Sequence, residues 1–72
     1  MIDEKVMSDL ISAREKALDI KLLLDRLYYH PEFGTIRTLP IISMLITGAQ
    51  YIADNLEVLG QTYREKASAN NP

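Results

Sequence analysis

The stretch from Val6 to Leu27, VMSDLISAREKALDIKLLLDRL, decides the fold. Val6, Leu10, Ala13, Ala17, Ile20, Leu24 and Leu27 recur at alternating steps of four and three residues. That spacing lines one face of a helix, whereas a strand would repeat every second residue. No Gly or Pro occurs from Ile2 to Tyr29. Asp3 stands before the stripe as a candidate N-cap, and Glu4 puts a negative charge in the first turn, where free N–H groups favour it. A first helix is expected over about residues 3–29.

The following HPEFGTIRT, residues 30–38, breaks the pattern. Pro31 disfavours helical geometry at His30, and Gly34 adds a second punctuation mark. A loop is expected here, with Phe33 and Ile36 folding back over the hairpin end. Thr38 is the candidate cap of a second helix. Pro40 is tolerated in its first turn, where the missing N–H has no bond to lose. Ile42, Leu45, Ala49, Ile52, Leu56, Leu59 and Tyr63 again step by three and four. The second helix is expected over about 39–66, with Arg64 and Lys66 suiting its C-terminal dipole. The small polar tail, 67–72, is expected to fray. The fold class is all-α: one domain, an antiparallel two-helix hairpin that completes a helical bundle with a second chain.

Size explains the second chain. Seventy-two residues with no cysteine must order themselves at roughly 1.5 kcal/mol each without disulfide help. Both helices also carry more apolar surface than one seam covers. On the first, Met7, Ile11, Leu18 and Leu22 run beside the main stripe. On the second, Ile41, Met44, Gly48, Tyr51 and Val58 lie on a separate line that also includes Asn55 and Thr62. Leu39 to Ala53, LPIISMLITGAQYIA, holds no charge, while the chain carries eleven charges by Tyr29. The second helix is therefore expected to be central in an assembly and the first peripheral. Ile41, Met44, Gly48, Tyr51 and Val58 are the candidate partner interface, with Met7, Ile11, Leu18 and Leu22 second. Gly48 and Gly60 would permit close helix approach there.

No catalytic, cofactor or metal site is expected. There is no phosphate-binding glycine loop, no metal-ligand spacing and one His, His30, which a helix C-terminus would hold in a capping role. Carboxylates and basic residues alternate along the first helix as a solvated face, with Lys21 and Asp25 spaced for an i,i+4 pair. A net charge of −2 argues against nucleic acid as a partner. With no signal-like segment and no span of about 20 apolar residues, the expected location is the cytoplasm.

The segment DLISAREKALDIKLLLDRL, residues 9–27, resembles the first helix of the small co-chaperones of type III secretion needle subunits, most closely the branch found in enteric pathogens. The likeness rests on Arg14, Glu15, Ala17, Ile20, Leu22 and Leu24. GAQYIADNL, residues 48–56, is similar to their second helix. The resemblance implies a cytosolic two-helix protein that pairs with a helical-repeat chaperone and keeps a needle subunit monomeric before export. It carries over no individual site residue. The residues by themselves lead to a non-enzymatic adaptor or co-chaperone that packs an apolar helix face on a helical partner. The alternative is a homodimeric four-helix-bundle regulator of plasmid or phage type, with RNA binding as a further variant.

Overall fold

The computed structural model describes residues 2–69. Helix α1 spans Glu4–Tyr29 and helix α2 spans Pro40–Ala69, joined by a 3-10 segment over Pro31–Thr38. No strand occurs among the described residues, so the chain is all-helical. The two long helices run antiparallel, and the molecule is a slab of 58 × 17 × 11 Å.

Local chemistry sets each boundary. Asp3 has extended geometry (ψ 117°), and its carboxylate accepts the backbone N–H groups of Lys5 at 2.9 Å and Val6 at 3.3 Å. The Asp3 N–H in turn donates to the Tyr63 hydroxyl at 2.8 Å, tying the start of α1 to the end of α2. At the far end of α1, the His30 N–H donates to the Leu27 carbonyl. The His30 ring does not serve the α1 terminus. Its Nδ1 accepts the Glu32 N–H at 3.1 Å, so the ring caps the connecting segment.

The connection differs from the expected irregular loop. Two 3-10 turns flank a kink at Gly34 (φ 5°, ψ −100°). Arg37 clamps the first turn by donating to the His30 carbonyl at 3.0 Å. Thr38 does not cap α2. Its hydroxyl donates to the Thr35 carbonyl at 2.6 Å and closes the second 3-10 turn, leaving Pro40 to open the helix. Phe33 is half-buried at the hairpin end, while Ile36 stays exposed. The helix α2 continues through Ala67, which is buried, to Ala69, three residues past Lys66. Asn70 to Pro72, where fraying is expected, lie outside the described residues.

The seam between the helices is the main departure from the sequence reading. On α2 the side chains turned towards α1 are Ile42, Ile46, Ala49, Ala53, Leu56, Gly60, Tyr63 and Ala67. On α1 they are Met7, Leu10, Arg14, Ala17, Lys21, Leu24 and Tyr28. Every second member of each expected stripe is therefore displaced by one position. Val6, Ile20 and Leu27 stand exposed on α1, as do Leu45, Ile52 and Leu59 on α2. The physical reason is size. Ala49, Ala53 and Ala67 offer a groove that a neighbouring helix can approach, and Arg14 and Lys21 lay their aliphatic stems along it. Around Ala53, which is 0 % exposed, the helices meet through small side chains.

The core that results is slight. Among the described residues the buried hydrophobic side chains are Ala17, Ile42, Ala49, Ala53 and Ala67, four of them alanines. The radius of gyration is 16.6 Å, against about 11 Å for a compact chain of this length.

Candidate functional site

Rotation of the helices about the seam gives the slab two unlike flanks. On one, Ala13, Ala17, Ile20 and Leu24 of α1 face Leu45, Ala49, Ile52 and Leu56 of α2 across an open groove of about 390 Å³. Met44 and Gly48 complete its α2 wall, and Lys16 is the single charged residue lining it. Leu45 and Ile52 are 51 % and 53 % exposed, although they belong to the most regular apolar stripe in the chain.

The opposite flank is polar. Arg14 lies 3.7 Å from Glu57 across the helices, and Lys21 pairs with Asp25 at 3.5 Å. Gln50 donates to the Asp54 carboxylate at 2.8 Å. These side chains pair with one another, although the Arg14 Nε is buried without a hydrogen-bond partner. Their ion pairs are partly exposed and worth under about 1 kcal/mol each.

The candidate partner residues distribute over three places. Ile41, Met44, Tyr51 and Val58 stand along the edge of α2 away from α1; Met44 and Tyr51 are 69 % and 67 % exposed. Gly48 is half-buried at the groove rim. Met7, Ile11, Leu18 and Leu22 lie on the other side of α1, where Met7 and Ile11 border a polar hollow with Arg14 and Glu57. Of the α2 residues Met44 and Gly48 border the groove, whereas Tyr51 borders the side that holds Lys21, Gln50 and Asp54. On the α2 edge the Asn55 amide donates to the Tyr51 carbonyl at 2.8 Å.

Sequence reasoning missed Ile20, Leu45 and Ile52 as surface residues because it assigned them to the seam. A signal was present. Ala49, Ala53, Gly60 and Ala67 form their own small-residue line, and small side chains are what a close two-helix contact needs. The glycines are open within the hairpin. A Cβ built on Gly48 or Gly60 meets no atom within 4 Å, so neither is required by the approach of α1 to α2.

No group of three or more metal-capable side chains gathers among the described residues. Among the described residues no single helix is long and apolar enough to cross a membrane. No protein-family model matches the chain, and no curated protein or solved structure matches it significantly.

Proposed function

We propose that this chain is a non-enzymatic protein-binding adaptor of co-chaperone type, acting by packing the apolar edge of α2 on a helical partner. One observation carries the reading. Ile41, Met44, Tyr51 and Val58 are large exposed apolar side chains aligned along one edge of a helix whose first half carries no charge. Contiguous apolar surface of this kind marks an interaction site, whereas scattered exposed residues do not. The slight core adds a reason, because a chain this small gains stability by burying that surface against another protein.

The resemblance of residues 9–27 to needle-subunit co-chaperones selects the first partner to try, and with it the cytoplasm as the place of action. Co-expression with a type III needle subunit and its helical-repeat chaperone is expected to give a soluble complex of defined mass by light scattering. Tyr51→Glu with Val58→Glu is expected to abolish that complex while preserving the helical circular dichroism. A complex that survives both charges overturns the assignment of this edge, and the absence of any complex overturns the adaptor reading in this setting.

A further inference from the structure

We propose that the groove flank is the dimer interface of this chain, its occupant a second copy whose α1 lies over α2 of the first in an antiparallel four-helix bundle. The inference rests on the reading that the chain works by burying apolar helix surface, and it names the partner for a face distinct from the outer edge of α2.

Area is the first argument. The molecule exposes 5667 Å². A compact protein of 8.2 kDa would expose about 4,500 Å². The excess, about 1,100 Å², exceeds the roughly 800 Å² that each partner contributes to a standard interface. The molecule's broad face measures 58 × 17 Å, and the groove occupies the middle of it.

Relief is the second argument. The residues that line the groove together place the register of the hairpin to within a residue or two. At that register Ala13 is level with Leu56, Ala17 with Ile52, and Ile20 with Ala49. Three of the four levels of the groove thus hold one large side chain and one alanine, and the fourth pairs Leu24 with Leu45. A two-fold axis along the helices lays α1 of one copy over α2 of the other and preserves levels. Leu56 then meets the Ala13 of the second copy, Ile52 meets its Ala17, and Ile20 meets its Ala49. The face is complementary to itself, as an isologous interface requires. At the same register Gly48 stands within two residues of the level of Leu23 of the second copy. Gly48 has no neighbour of its own chain within 4 Å, and Leu23 is exposed in the single hairpin. Charge is the third argument. Lys16, at the rim, is the one charge lining the groove, so the flank can be desolvated at little electrostatic cost.

Light scattering at roughly 50 µM, above the micromolar dissociation constants of weak standard-size interfaces, is expected to return twice the 8.2 kDa chain mass. Ile20→Asn with Ile52→Asn is expected to return the single-chain mass with helicity kept, because both side chains already face solvent in the hairpin. Gly48→Leu exchanges a poor helix former for a good one, so unfolding of α2 cannot explain its effect. It too is expected to return the single-chain mass. Tyr51→Glu with Val58→Glu is expected to remain dimeric. A monomeric wild type at that concentration overturns the inference, as does a dimer that only the Tyr51 and Val58 charges split. A monomer that still captures the needle subunit and chaperone discards the second copy and keeps the adaptor. A dimer that captures nothing does the reverse.

Discussion

His30 does the work of two positions. It ends α1 through its backbone and begins the connecting segment through its ring, with Nδ1 accepting the Glu32 N–H. Removing that acceptor leaves a free N–H at the head of a short 3-10 turn. His30→Ala is expected to lower stability by about 1 kcal/mol, as for other lost N-caps, and His30→Asn to restore most of it, both by urea denaturation. Asp3→Ala is expected to cost about 1 kcal/mol by the same measurement, since two N–H groups of α1 lose their acceptor. Gly60 gives the opposite case. It is buried on the seam, yet a methyl group there meets nothing within 4 Å. Gly60→Ala is therefore expected to stabilise the chain by about 0.5–1 kcal/mol through helix propensity and a less flexible unfolded state. At this scale Asp3 as a cap was legible from its type and place. The hydroxyl of Thr38 was not, because the choice between capping α2 and closing a 3-10 turn depends on backbone geometry that Gly34 sets.

The two helices are unequal. Helix α1 has a polar outer face, and its basic residues Arg14 and Lys21 lie along the seam with their stems half-buried. Helix α2 is apolar over far more than half its circumference, from Ile46 at the seam through Leu45 and Ile52 on the groove to Met44 and Val58 on the edge. Adjacent residues on α2 therefore have opposite tolerance. Ala53 is fully enclosed against α1, so Ala53→Leu is expected to overpack the seam and cost about 1–3 kcal/mol in chemical denaturation. Ile52, one residue earlier and more than half exposed, is expected to tolerate Asn in the single hairpin and to lose only association. The existence of both helices was readable from unbroken three- and four-residue spacing. The rotation of each about its axis was not. An apolar stripe subtends an angle wider than the line along which two cylinders touch, so periodicity alone allows several seams.

The whole molecule is a single layer of helices, 11 Å thick in its Cα envelope, with no second layer to enclose its apolar flank. Domains are ordinarily built from at least two packed layers, and a second copy would supply the missing one. Melting followed by circular dichroism is accordingly expected to shift upward as chain concentration rises, since association stabilises the folded form by mass action. A melting temperature independent of concentration would indicate that the hairpin stands alone.

The order of elements, their polarity and the place of the reversal follow from the sequence by itself, because Asp3, Pro31, Gly34 and Pro40 act through local backbone chemistry that needs no distant neighbour. So does the excess of apolar side chains over what one seam can hold, which is a matter of counting and spacing. Tertiary structure alone decided which of those side chains the hairpin keeps and which it leaves open. That division depends on how closely α1 and α2 approach, and small residues on one helix set it together with the long stems of Arg14 and Lys21 on the other. A contact between two helices is a property of the pair, and neither stripe contains it.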